Sequence, residues 1–260
     1  MTYKTILTER RGDVLVITLN RPERLNAASP ATFDEIRAAL ADLGGARAVL
    51  VTGAGRAFCS GADLAGGSLT SADPAQATFD ALTNSYNPTM IAIAELPVPI
   101  VAAVRGPAAG IGCSLALACD FVVGCDTAYF LEAFANIGLV PDGGASWMLP
   151  RLIGKARAME MALLGERIPA EKALAWGLIH KFVADDALDA EAFALAERLA
   201  AGPTRALALA RRAINAALES DYPAALAREA SDQREAARGP DAAEGARAFL
   251  EKRKPVFSGK

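Results

Sequence analysis

Residues 99–149 read PIVAAVRGPAAGIGCSLALACDFVVGCDTAYFLEAFANIGLVPDGGASWML, and this stretch decides the fold. Ile100–Val104 is a short apolar run bounded by prolines and by Arg105-Gly106, the pattern of a buried strand. Gly106, Pro107, Gly110 and Gly112 punctuate a turn. Residues 113–119 are small and apolar and predict a helix packed on all sides. A further strand follows, then a long loop closing on Pro141-Asp142-Gly143-Gly144. The start of such a helix presents unpaired backbone N–H groups and a partial positive charge. Glycines allow a ligand close to that backbone, and a developing oxyanion would be stabilised there. Glycines alone describe a close-packed helix–strand crossing equally well.

Upstream, Val14–Leu19 predicts a strand after a Gly12-Asp13 turn, ended by Asn20-Arg21-Pro22. Ser29-Pro30 has the form of an N-cap and first helical residue, opening a helix to about Leu43. Residues 48–52 predict a second buried strand, and Phe58-Cys59-Ser60-Gly61-Ala62-Asp63-Leu64 follows its Gly53-Ala54-Gly55 turn. Residues 66–87 are rich in Gly, Ser, Thr, Asp and Ala and read as a mobile segment, a candidate lid. Residues 88–96 predict a short helix.

Downstream, residues 155–164 and 169–176 predict helices, the second stopped by Gly177, and residues 179–183 a short strand. Beyond Asp185 the chain is almost wholly helical and Ala-rich, with breaks at Gly202-Pro203, Asp221-Tyr222-Pro223 and Gly239-Pro240. A soft boundary near Ala201 divides a core, 1–200, from a helical region, 201–260.

The 260 residues are 52% hydrophobic, enough for a sizeable core, with a net charge of −3. No basic stripe with interleaved aromatics points to nucleic acid. Glu95, Arg105 and Asp120 interrupt the most apolar zone, so no run reaches the roughly 20 residues of a membrane span. Cys59, Cys113, Cys119 and Cys125 lack C-x-x-C spacing and read as buried thiols of a cytoplasmic, reducing compartment. A single histidine, His180, excludes a His-based zinc cluster, and no metal is expected.

Gly53-x-Gly55 lacks the third glycine of a dinucleotide loop, since Phe58 occupies its place, and no tyrosine has a lysine four residues on. A nicotinamide enzyme is thereby disfavoured. Gly112-Cys113-Ser114 resembles a nucleophile elbow, and Ser114, Asp142 and His180 follow a hydrolase order. Against this, Ser114 falls inside the helix and His180 in a short apolar strand. Asp142, in Pro-Asp-Gly-Gly, taken alone is a turn residue.

Asn20-Arg21-Pro22 with Leu25-Asn26-Ala27, residues 57–64, residues 106–120, residues 138–144 and residues 173–178, in this order, resemble the crotonase (enoyl-CoA hydratase/isomerase) superfamily over essentially the whole chain. The resemblance implies an α/β fold: a spiral of β-β-α units with a C-terminal helical trimerisation region, assembled as a homotrimer or dimer of trimers. It implies an acyl-CoA thioester whose oxygen is held by the backbone N–H groups of Ala62 and Ile111, with isoleucine replacing the family's usual glycine at 111. It also implies CoA contacts from Ala62, Asp63 and Leu64, from Arg24 to a phosphate, and from Phe257 and Lys260 to a neighbour's CoA. CoA belongs to the substrate, and no cofactor is implied.

The departures carry more information. Hydratases of the family use two glutamates, and the corresponding positions here are Ser114 and Phe134. Glu132 lies two residues from the second, and strand-like alternation would put it on the same face as Phe134. Asp142 stands where isomerases and a dehalogenase of the superfamily carry their aspartate. The run FxxAFxxIGLVPDxGxxWxLPR, Phe130 to Arg151, is similar to the phenylacetate-pathway ring-epoxide isomerase and Δ3,Δ2-enoyl-CoA isomerase branch. The sequence therefore points to an acyl-CoA isomerase with Asp142 as its base and Glu132 as a second candidate. The alternatives are an enoyl-CoA hydratase, a serine hydrolase, and a non-catalytic acyl-CoA-binding protein. The acyl group is not legible.

Overall fold

The computed structural model describes residues 3–64 and 70–260. β1 (Ile6–Arg11) and β2 (Val14–Leu19) form an antiparallel hairpin with Ile6 opposite Leu19. α1 (Pro30–Ala41) follows. Its entry is fixed by a capping box in which the Ser29 side chain accepts from the Thr32 N–H and the Thr32 side chain accepts from the Ser29 N–H. β3 (Ala48–Gly53) returns parallel to β2.

Next come α2 (Pro74–Ala81), a wide turn at Leu82–Tyr86, and α3 (Asn87–Ala94). This corrects the expectation of a mobile stretch. Asp73 caps α2 by accepting from the Gln76 N–H, and Pro74 presets its first turn, so a polar segment becomes helix. Residues 66–69 of the candidate lid lie outside the described residues.

β4 (Ile100–Val104) is buried along its whole length. The chain bends into β5 (Pro107–Ala109), then runs back as α4 (Ile111–Leu117), whose seven residues are all buried. The pattern repeats with β6 (Phe121–Cys125), β7 (Tyr129–Leu131) and α5 (Ala145–Met159). α5 begins ten residues before the predicted helix at 155, and Gly154, at φ +76°, kinks it where the pattern suggested a start. β8 (Ile168–Pro169), α6 (Ala170–Trp176), β9 (Lys181–Val183), α7 (Leu188–Ala200), α8 (Thr204–Ala217), α9 (Tyr222–Ala237) and α10 (Pro240–Leu250) complete the chain.

The main sheet has the order β1-β2-β3-β4-β6-β9 and is parallel apart from its β1 edge. A small second sheet, β5-β7-β8, is extended by a bridge from Cys59 to Ala108. Each unit thus lays one strand in the large sheet, turns a second into the small sheet and returns through a helix. The fold is α/β, a spiral of β-β-α units.

α7 lies across β3, β4 and β6. α8 is tied to the core by Arg211, which donates to Asp120 and to the backbone carbonyls of Ile93, Ala94 and Leu96. The chain's own core covers little of the remaining C-terminal apolar surface: Leu209 is the buried residue of α8, while Ile214, Leu218, Tyr222, Leu226, Phe249 and Leu250 are exposed.

Candidate active site

The site forms where the small sheet brings two loops together. The Cys59 N–H donates to Pro107 O at 2.9 Å, and the Ala109 N–H donates to Cys59 O at 2.9 Å. This pairing carries the Gly61-Ala62 turn alongside the Gly110-Ile111 turn. A Cβ placed on Gly61 would lie 3.2 Å from Ala109 O, and one on Gly110 would lie 4.0 Å from Gly61 Cα. Gly110, at φ +51°, makes the corner from which α4 starts. Ile111 is the first residue of α4, and its N–H has no acceptor among the described residues. The same holds for the N–H of Ala62. Two free donors, one of them at a helix N-terminus, therefore stand on adjacent loops.

The Ala62 loop is braced from behind. Asn26, 2% exposed, accepts from the Arg21 N–H and donates to Ala54 O and Ala57 O. Ala28 and Asp63 add backbone bonds on either side of Ala62: the Ala28 N–H to Gly61 O, and the Asp63 N–H to Ala28 O. Arg21 also donates to the Asp63 carboxylate at 2.7 Å. Asp63, expected from the sequence to contact CoA, also holds the loop through this bond. Asn26 as a brace was missed. Its signal was a polar residue inside a quoted motif, but nothing local said that it would be buried.

Asp142 sits in the turn that leads into α5. Its carbonyl accepts from the Ala145 N–H at 3.1 Å and from the Ser114 hydroxyl at 2.9 Å. Its Oδ1 is buried without a hydrogen-bond partner among the described residues, and burial pushes the carboxyl up to about 6. Glu132 is fully buried, neither of its oxygens has a nitrogen or oxygen donor among the described residues, and burial pushes it up to about 7. The adjacent Cys113 thiol draws Glu132 down and the Asp142 charge pushes it further up. Cys113 is itself raised, first by burial and then by Glu132. Desolvation thus brings both carboxyls into the neutral range, where proton transfer in either direction is easy.

Glu132 does not reach this place by strand alternation. β7 ends at Leu131, and Phe134 is in helical conformation. Phe134 nevertheless faces the site, its ring 3.6 Å from the Cβ position of Gly110. The Ser114–Asp142–His180 order forms no triad. The Ser114 hydroxyl is spent on backbone carbonyls, and Asp142 Oδ1 has no partner. His180 is exposed, with its ring edge-on to Phe121.

Of the remaining expected CoA contacts, Arg24 is exposed beside the Ala62 loop, where its carbonyl receives the Ser60 hydroxyl. Leu64 is also exposed. Phe257 and Lys260 are elsewhere. They line a cleft of about 270 Å³ with Pro203, Arg205 and Gly245. Arg47, which immediately precedes β3, donates to Phe257 O, whereas the site lies beyond the other end of β3. Within one chain these two residues are not brought to Asp142. Among the described residues no cluster of His, Cys, Asp and Glu has metal-holding geometry, and no helix is long and apolar enough to cross a membrane.

A spiral of β-β-α units that sets two backbone donors on neighbouring loops beside buried carboxyls is an arrangement able to hold an oxyanion next to a group that can exchange a proton. The chain belongs to the enoyl-CoA hydratase/isomerase family, whose model matches residues 9–260. It is 46% identical to a probable enoyl-CoA hydratase of Rhodobacter capsulatus, with 100% of both chains covered. It is 43% identical to 1,2-epoxyphenylacetyl-CoA isomerase of Escherichia coli, with 98% of each covered. The crystal structure of enoyl-CoA hydratase from Bacillus anthracis superposes with a TM-score of 0.93 at 32% identity, covering 99% of this chain and 100% of that one.

Proposed function

We propose that the protein is an acyl-CoA isomerase that works through a thioester enolate. The N–H groups of Ala62 and Ile111 hold the thioester oxygen. Asp142 takes a proton from the acyl chain, charge moves onto the held oxygen, and the protonated Asp142 returns the proton at another carbon. The double bond moves into conjugation, and one base serves both transfers because the enolate does not leave the site. An epoxide on an aryl-acetyl thioester would be rearranged in the same pocket. CoA enters with the substrate, with Arg24 toward a phosphate and Leu64 beside it; Phe257 and Lys260 would act across a trimer on a neighbour's CoA.

The observation that carries this reading is the buried Asp142 oxygen without a partner, on a turn packed against the helix that supplies Ile111. Ser114 and Phe134 stand where the family's hydratases carry glutamates, and the Escherichia coli relative bears an isomerase name. A hydratase is the second reading, favoured by the buried, unpartnered Glu132 and by the name of the Rhodobacter relative.

Asp142→Asn, which cannot act as a base, is expected to keep CoA binding and lose about a hundred- to ten-thousandfold in conversion of 3-enoyl-CoA to 2-enoyl-CoA. The assay pairs thioester absorbance with chromatography of 3-hydroxyacyl product. Fast hydration of crotonyl-CoA by the unaltered enzyme favours the hydratase reading. Undiminished isomerisation by the Asn variant removes Asp142 and makes Glu132→Gln the next test. No turnover of any 2-enoyl, 3-enoyl, dienoyl or aryl-acetyl thioester would leave a binding protein.

A further inference from the structure

Ser114 occupies a position from which the family reading removes a carboxylate, yet its side chain is not idle. It is fully buried on α4, one turn after Ile111. Its hydroxyl has one proton and two carbonyls within reach, Asp142 O at 2.9 Å and Gly110 O at 3.5 Å, and the shorter contact takes it. The carbonyl that receives it belongs to the residue that bears the unpartnered carboxyl.

The next residue shows how tight this seat is. Gly143 has φ +58°, and a Cβ there would stand 2.5 Å from Ile111 Cδ1 and 2.8 Å from Ser114 Cβ. Ile111 and Ser114, three apart on the helix, share a face and together form a socket for the turn. α4 therefore presents a donor N–H at its first residue and, from the same face, grips the main chain of Asp142.

We propose that Ser114 is a positioning residue that fixes the Asp142 carboxylate relative to the oxygen held at Ile111. The inference rests on the isomerase reading above. Its physical content is that one rigid helix sets both the oxyanion donor and the base, so their separation does not depend on the flexibility of the Asp142 loop. A side chain longer than serine would have to displace the Gly143 turn. The small residue that replaces a hydratase glutamate is thus also the one that admits the aspartate turn. Misplacement of a reacting group by about 1 Å can cost a hundredfold in rate.

The test compares Ser114→Ala, Ser114→Cys and Ser114→Thr with Asp142→Asn. Five quantities are measured: kcat and KM for 3-enoyl-CoA, deuterium uptake from D2O into the acyl chain, the absorbance shift of a bound conjugated enoyl-CoA, and melting temperature. Ser114→Ala is expected to lower kcat and deuterium uptake by roughly tenfold to a hundredfold, with KM within about twofold and the absorbance shift retained. Ser114→Cys keeps a donor, weaker and on a somewhat longer bond, and is expected to fall between, which covers the case of an unfolded alanine variant. Ser114→Thr keeps the hydroxyl but adds a methyl, and a variant of unchanged melting temperature is expected to retain more kcat than Ser114→Ala.

Wild-type kcat in folded Ser114→Ala or Ser114→Cys overturns the proposal. So does a threonine variant of unchanged melting temperature that loses as much kcat as alanine, or a loss in which the absorbance shift falls in step with kcat. If Asp142→Asn is inactive while Ser114→Ala is fully active, only the Ser114 role is lost. If Asp142→Asn remains active, the base assignment itself fails.

Discussion

Asp142 and Glu132 are expensive residues to fold. Burial raises Asp142 from the ordinary 3.8 to about 6 and Glu132 from 4.5 to about 7. The folded chain therefore binds both protons more tightly than the unfolded chain does. Stability is greatest below the unfolded values and falls as pH rises through about 4 to 7. At roughly 1.4 kcal/mol per pKa unit, the ionised Asp142 carries a cost on the order of 3 kcal/mol at neutral pH. Asp142→Asn is accordingly expected to melt higher than the unaltered protein at pH 8, with the difference closing near pH 4. Calorimetry across that range measures it, and equal melting temperatures at pH 8 would mean that Asp142 is solvated. If Asp142 is the base, as proposed, the acid limb of kcat/KM is expected near pH 6 rather than near pH 4, and a pH–rate profile measures it.

At the scale of elements, the paired loops between β3 and α4 do the positioning. The Cys59–β5 ladder sets how far apart the Ala62 and Ile111 donors stand. Ala62→Pro deletes one donor without touching any side chain in the site, and is expected to cost roughly a hundredfold or more in turnover. Circular dichroism and melting guard against a disturbed turn, and a folded variant with near-normal turnover removes Ala62 from the oxyanion site.

These elements were legible to very different degrees. β2, β4 and α1 follow directly from apolar runs, a glycine turn and the Ser29-Pro30 cap, because local chemistry fixes each of them. The two donor positions came through resemblance at Ala62 and Ile111, and their geometry depends on a ladder between residues almost fifty apart. Glu132 was named for a wrong reason: a turn, not a strand, buries it. The Ser114–Asp142 bond and the Asn26 brace were invisible because each side chain meets a backbone group brought in by tertiary packing. The start of α5 was missed because Gly143 and Gly144 suggested a loop, whereas their positive φ values form its N-terminal corner.

At the scale of the molecule, α8, α9 and α10 leave Ile214, Leu218, Leu226 and Phe249 uncovered although the core beneath is complete. An exposed apolar surface of this kind is what an interface between chains would cover. We expect the protein to sediment as a multiple of three subunits, with light scattering giving the same mass. A stable monomer at micromolar concentration would refute this, and would also leave Phe257 and Lys260 with no route to any CoA.

The tail that carries those two residues is held in an unusual way. The Asp241 carboxylate receives the N–H groups of Ser258 and Gly259, and Glu244 receives the N–H of Val256 and pairs with Arg253. Three of these four contacts recognise main-chain N–H groups, which every residue except proline supplies. Arg253, Ser258 and Gly259 are the exceptions: Arg253 pairs through its side chain, the Ser258 hydroxyl also donates to Asp241 at 2.9 Å, and a Cβ on Gly259 would meet Arg47 at 2.7 Å. Across related chains, the spacing from α10 to this clasp should therefore be kept more strictly than the residues that fill it. Lys254 and Pro255 are free to drift in identity, whereas adding or removing a single residue between 250 and 258 would slip the register of the whole tail.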